Sequence, residues 1–142
     1  MDPHRASDPG IRRQAILPAA LRACRMQPIG VVHSPFAWRD EAPRQSGLGT
    51  GGAGLIVLRP GMQNALKDLA GFDFVWVLAW FHRSRGWKPQ IVPPRDAVKR
   101  GLFATRAPDR PNAIGLSLVR LGRIHGAKIE IRDHDLLDGT PV

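Results

Sequence analysis

The stretch Arg100–Leu118, RGLFATRAPDRPNAIGLSL, restricts the fold of this chain more than any other. Pro108 and Pro111 stand three residues apart. Each fixes its own φ and removes a backbone N–H donor, so Ala107–Asn112 is barred from helix and from a sheet interior. Asp109 and Asn112 are residue types that bond their own turn backbone. On either side the pattern alternates. Leu102 and Ala104 point one way, Phe103 and Thr105 the other, and alternation resumes from Ile114. The stretch therefore predicts strand, stiff turn, strand. Arg106 and Arg110 flank the turn, and guanidinium groups on a preorganised loop meet a carboxylate or phosphate at little ordering cost. A solvated hairpin tip is the plainer alternative.

The remaining segments are short and broken by glycine and proline. Pro28–Ser34 reads as an apolar strand stopped at Ser34-Pro35, because a residue before proline leaves the helical region. His33 within it is expected to be a partly buried strand histidine, since the other four histidines share no ligand spacing with it, and no metal site is expected. Gly49–Gly54 satisfies G-x-G-x-x-G, yet a polar loop precedes it and the apolar strand Leu55–Leu58 follows. A dinucleotide fingerprint needs a strand before and a helix after, so the glycines read as a flexible loop. Gly61–Leu69 reads as one short helix with Met62, Leu66 and Leu69 at helical spacing, and Ile11–Leu21 is a weaker helical candidate. Phe72–His82 is the most apolar run, aromatic and β-branched without polar alternation, which predicts a central strand buried on both faces. Val119–Ile124 and Lys128–Arg132 predict a hairpin turning at Gly126. The sum is a single, mostly antiparallel β domain with one or two short helices.

Charge is concentrated. Lys and Arg number 21 against 12 Asp and Glu, a net charge of +9. Residues 1–25 hold five arginines and two aspartates, and the rest of the excess falls between His82 and Arg110, with eight basic and two acidic residues. Such a run is either a polyanion-binding face or a solvated one. Trp87 among Arg85, Lys88, Arg95 and Lys99 suits stacking on an unpaired base, or packing on a neighbouring proline. Cys24 is the sole cysteine, so no disulfide framework or cysteine metal site exists and a cytoplasmic setting fits. Ala15–Leu21 contains Pro18 and is too short to span a bilayer, so neither a membrane segment nor an export signal is expected. Residues 1–25 lack sustained periodicity and are expected to be disordered or an extension ahead of a domain that begins at Met26.

Several separated motifs carry a resemblance. IGVVHSP, Pro43-Arg44-Gln45, FDFVWVLAWFH ending at His82, FATR followed by RPN and IGLS, and DLLDGTPV from Asp135 to Val142 occur in the order found in the TrmO family, also called YaeB-like or TsaA-like. The resemblance runs from Met26 to Val142 and implies a small β-barrel that pairs as a homodimer. It also implies methyl transfer from S-adenosylmethionine to the exocyclic amine of a modified adenosine beside the tRNA anticodon, with the anticodon stem-loop as partner. By the same resemblance Pro43, Arg44, Gln45, His82, Arg83, Arg106 and Leu116 line the cofactor pocket, and Asp135, Asp138, Gly139 and Thr140 close it. Asp135 and Asp138 are then the candidate catalytic carboxylates, able to hold the amine or take its proton. Arg85, Trp87, Lys88, Arg95, Lys99 and Arg110 are the RNA-binding candidates. On their own, Asp138-Gly139 is a common turn pair and His82 an ordinary strand-end histidine. The family pattern continues with an Asp-Ile-Lys-Pro-Tyr run, so the C-terminal end of the family domain is expected to be missing. Two other functions fit the residues: a non-catalytic RNA-binding β-barrel module and a small-molecule methyltransferase.

Overall fold

A computed structural model describes residues 24–47 and 52–142. The expected leader lies outside them except for Cys24 and Arg25, as do Leu48, Gly49, Thr50 and Gly51, which include the first half of the glycine-rich loop. The strands in chain order are β1 (Gly30–His33), β2 (Gly54–Leu58), β3 (Phe74–Trp80), β4 (Gln90–Ile91), β5 (Arg100–Gly101), β6 (Ile114–His125) and β7 (Lys128–Arg132). Five of them form one sheet in the order β1-β2-β7-β6-β3, antiparallel throughout. The β6–β7 hairpin turns at Gly126, whose φ of +59 is the left-handed geometry expected of it.

Period-2 alternation sorts the side chains. Val32, Ile56, Leu58, Val77, Ala79, Val119, Ile129 and Ile131 face one side and, with Leu136, form the buried core. The register aligns Val32 with Ile56 and Ile56 with Ile129, so the core continues from strand to strand. Between Leu121 and Ile124 the β6–β7 register slips, and this bulge bends β6 so that the sheet curls around its core. Gly122 lies in the slip, where an added Cβ would come within 2.8 Å of the Glu130 Cβ.

The C-terminal segment ties the two edges of the curled sheet together. Val32 N–H donates to the Thr140 carbonyl at 2.9 Å and Val142 N–H to the Gly30 carbonyl at 3.0 Å, so the segment runs beside β1. The Pro141 carbonyl accepts from Trp80 N–H of β3 at 2.9 Å. The result is the mostly β, barrel-like domain that the sequence predicts.

Several expectations are corrected. Phe72–His82 does not supply a central strand: β3 is an edge strand with only Val77 and Ala79 buried, while Phe74, Trp76, Leu78 and Trp80 are exposed. Its cross-strand partners on that face are Arg120, Leu118, Leu116 and Ile114. The aromatic run therefore fills both faces of a strand of which only one packs inward. The limb before the proline turn is likewise not a strand facing β6. Arg100–Gly101 pairs with Gln90–Ile91 in a separate two-stranded ribbon, and Leu102–Ala104 forms a 3₁₀ turn that buries Leu102 and exposes Phe103. Gly61–Leu69 is not one α-helix. It gives 3₁₀ turns at Gln63–Leu66 and Leu69–Gly71, separated by Asp68 in the left-handed region, with Met62, Leu66 and Leu69 still packed on the core. His33 points out of the sheet, its side chain 59% exposed, because it occupies the outward register of β1.

Candidate active site

The termination of β3 builds one wall of a pocket. Phe81 N–H donates to the Ala113 carbonyl and Ser84 N–H to the Phe81 carbonyl, so the chain turns sharply and projects His82, Arg83 and Ser84 beside the start of β6. The tip of the Phe81 ring meets Gly115, where any Cβ would collide with it. Facing this wall are the loop carrying Arg39, Pro43 and Arg44, the proline turn carrying Arg106, Pro108 and Arg110, and the C-terminal residues Asp135, Leu137 and Thr140. Together they enclose about 710 Å³, within the range of pockets that take small organic ligands. Ile114, Leu116 and Phe81 supply apolar wall.

Eight of the residues singled out for the cofactor line this pocket: Pro43, Arg44, His82, Arg83, Arg106, Leu116, Asp135 and Thr140. Gln45, Asp138 and Gly139 do not. The Asp138 carboxylate accepts from Ser34 N–H at 3.0 Å and lies 3.7 Å from His33 Nδ1, while Gly139, at φ +75, turns the chain back toward β1. Arg83 is partly committed to structure, its guanidinium donating to the carbonyls of Ala37 at 3.1 Å and Asp138 at 3.4 Å.

The acidic centre of the pocket is Asp135. Its side chain is 11% exposed and its Oδ2 lies 3.8 Å from Arg106. Ser117 Oγ donates to its Oδ1 at 2.6 Å. Ser117 is itself 3% exposed and was not singled out in the sequence. The available signal was its place on the inward register of a strand otherwise apolar on that side, since a buried hydroxyl requires a partner. Next to it, His134 is fully buried, with Nδ1 accepting from Leu136 N–H at 3.2 Å and Nε2 without a hydrogen-bond partner. Burial pushes its imidazole below its ordinary pKa, partly countered by the Ala53 backbone and the Asp135 carboxylate nearby.

The proline turn is held differently from the reading in which Asp109 bonds its own backbone. Asp109 reaches across the pocket mouth to Arg39, both guanidinium nitrogens donating at 3.3 Å, and also accepts from Ser84 Oγ at 2.9 Å. The Arg39 hydrogen bond, ahead of the Ser84 one, holds this carboxyl below the usual carboxylate range. Arg110 turns back to donate to the carbonyls of Thr105 and Ala107, with its guanidinium 5.6 Å from the Phe103 ring centre. The other RNA-binding candidates, Arg85, Trp87, Lys88, Arg95 and Lys99, are exposed and lie outside the pocket lining. Among the described residues none of these four cations forms a salt bridge, whereas Arg100 pairs with Asp96 at 2.7 Å and lowers its pKa. Among the described residues there is also no cluster of His, Cys, Asp and Glu fit to hold a metal, and no helix long and apolar enough to cross a membrane.

Comparison with known proteins gives the family. The family description "tRNA-methyltransferase O N-terminal domain" matches residues 31–142. A probable S-adenosyl-L-methionine-binding protein of Pyrococcus abyssi is 40% identical over 116 residues, covering 82% of this chain and 63% of its own length. The tRNA (adenine(37)-N6)-methyltransferase of Escherichia coli is 38% identical over 128 residues, covering 83% of this chain and 54% of its own. The crystal structure of TrmO from Pseudomonas aeruginosa superposes with a TM-score of 0.72 at 36% identity, over 86% of this chain and 54% of that one. The chain thus spans less than two thirds of each of these relatives.

Proposed function

The chain belongs to the tRNA-methyltransferase O family, through that family's N-terminal domain, and from this premise we propose that it transfers a methyl group from S-adenosylmethionine to the exocyclic N6 amine of an adenosine beside the tRNA anticodon. The observation that carries the proposal is the convergence of Pro43, Arg44, His82, Arg83, Arg106, Leu116, Asp135 and Thr140 on one pocket from five separate segments. The lining fits the cofactor chemically. Phe81, Ile114 and Leu116 offer apolar contact to a purine, Arg44 and Arg106 can pair a carboxylate, and Asp135 can hold an ammonium. Bound S-adenosylmethionine supplies a sulfonium methyl: the carbon–sulfur bond breaks as the nitrogen–carbon bond forms, leaving a thioether and one surplus proton on the nitrogen.

The protein's task in such a displacement is alignment and exclusion of water. Ser117 occupies Asp135 Oδ1, so Oδ2, which Arg106 approaches at 3.8 Å without a hydrogen bond, is the oxygen left to take the acceptor amine's proton. Gln45, Asp138 and Gly139 act from behind the lining, in the segments that carry Arg44 and Thr140.

The exposed cations Arg85, Lys88, Arg95 and Lys99, with Trp87, form the tRNA-binding face in this reading, and Arg110 braces the turn beside it. The partner of the apolar face made by Phe74, Trp76, Leu78, Trp80 and Leu118 is a second copy of the chain. An edge strand with an aromatic outer face is a surface that needs cover. In this reading residues 26–142 carry the TrmO-like domain, short of its C-terminal end, and its setting is the cytoplasm.

Calorimetric titration with S-adenosylmethionine and a radiolabelled methyl-transfer assay on tRNA test the proposal together. Binding that Arg106→Ala abolishes, and label recovered on an adenosine, are expected; no heat at millimolar cofactor would overturn it. RNA affinity should fall with salt at a log–log slope of about 0.7 per phosphate, and replacing Lys88, Arg95 and Lys99 with alanine should flatten that slope by roughly two.

A further inference from the structure

We infer that Asp109 is a positioning residue that assembles the cofactor pocket, by clasping a loop that no β-pairing holds to the two segments that meet where β3 ends and β6 begins. The inference rests on the reading of that pocket as an S-adenosylmethionine site. Between β1, ending at His33, and β2, beginning at Gly54, the described chain makes no strand pairing, yet this connection delivers Pro43 and Arg44 to the pocket. The proline turn that delivers Arg106 is likewise outside any sheet, and the segment bearing His82 and Arg83 follows the end of β3. One carboxylate meets all three. Asp109 takes a two-pronged contact from Arg39 of the first, belongs to the second, and accepts from Ser84 of the third.

The geometry separates holding from touching. Asp109 is absent from the pocket lining, although Pro108 and Arg110 on either side of it are in the lining. Its influence on a bound cofactor therefore passes through Arg39 and Ser84. Exposed ion pairs are ordinarily weak because water screens them and long side chains lose freedom. Three features set this one apart: the fork geometry of Arg39, the additional Ser84 hydroxyl, and the stiffness that Pro108 and Pro111 give to the turn. Arg83 adds a parallel tie by donating to the Ala37 carbonyl two residues from Arg39. The loop is thus fastened at Ala37 and Arg39, just ahead of Pro43.

The full chain is titrated with S-adenosylmethionine as unmodified protein, Asp109→Ala, Arg39→Ala and the double variant. Amide hydrogen exchange is followed on the same proteins without cofactor. Asp109→Ala is expected to weaken binding by about fivefold, the double variant to bind no worse than the weaker single one, and amides between Ala37 and Gln45 to exchange faster in every variant. Asp109→Ala binding within about twofold of the unmodified protein, effects of the two substitutions that multiply, or unchanged exchange would each overturn the inference. Multiplying effects would instead make Arg39 a direct cofactor contact. An unmodified chain that binds no cofactor would overturn the methyltransferase reading and the role given to Asp109 within it, whereas cofactor binding with indifferent variants would overturn the clasp alone.

Discussion

Replacing Ser117 with alanine removes one oxygen and leaves a carboxylate stranded. Ser117 Oγ is 2.6 Å from Asp135 Oδ1, and the two side chains are almost enclosed, so the pocket they both border is the side from which water can reach the stranded oxygen. A hydrogen bond to a charged group contributes about 1.5–3 kcal/mol, and the penalty of leaving the buried acceptor unmatched falls in the same range. For a domain of this size each kcal/mol moves Tm by about 4 °C, which places the Ser117→Ala midpoint about 6–12 °C below that of the unmodified protein. Asp135→Ala and the double variant complete a cycle. The double variant should be less damaged than the sum of the singles by about 1–2 kcal/mol, because with both partners gone nothing polar is left unmatched. Calorimetry or denaturant melts read all four proteins. A Ser117→Ala shift under about 2 °C, or strictly additive singles, would mean that the pair contributes nothing and that Asp135 is positioned by something other than Ser117.

Three further outcomes are expected. Burial lowers the His134 pKa from its ordinary 6.5 against the opposing pull of Asp133 and Asp135, so the unfolded chain binds a proton that the folded chain refuses. Stability is then complete above pH 6.5 and declines as pH falls below it, a decline that His134→Leu should flatten in melts taken across that range. A chain beginning at Met26 should melt within about 5 °C of the full chain, since residues 1–25 carry no core pattern. Light scattering should give a dimer mass at micromolar concentration, and Trp76→Glu, a charge at the middle of the exposed β3 face, should return a monomer without unfolding it.

What was legible in the sequence is what local pattern dictates. β1 followed from a compact apolar run stopped by Pro35, and the β6–β7 hairpin from alternation on both sides of Gly126. The same pattern misled at β3. A face of Phe74, Trp76, Leu78 and Trp80 has the composition of a core face, and nothing local distinguishes such a face turned outward from one that packs on the protein's own interior. The alternation of Leu102 to Thr105 is too short to separate strand from 3₁₀ turn. Motif order brought most of the pocket lining into view, but not the residues that secure it. Asp109 finds Arg39 across 70 positions of sequence and Ser117 finds Asp135 across 18, and those pairings are products of the curled sheet rather than of any neighbouring residue.

The bridging of both sheet edges by Asp138–Val142 also sets the order in which the domain can come together during synthesis. β1 leaves the ribosome well before this segment, and Ser34 N–H must wait for the carboxylate of Asp138, 104 residues later. Contacts of such long sequence separation form late, because the entropy of closing the intervening loop is spent before any contact repays it. Thr140 enters the pocket only with that segment, and Asp135 lies just ahead of it. A nascent chain that has not yet delivered Asp138–Val142 would leave the edges of β1 and β3 unbridged and the pocket without Thr140, so closure of the pocket reports on the arrival of this segment.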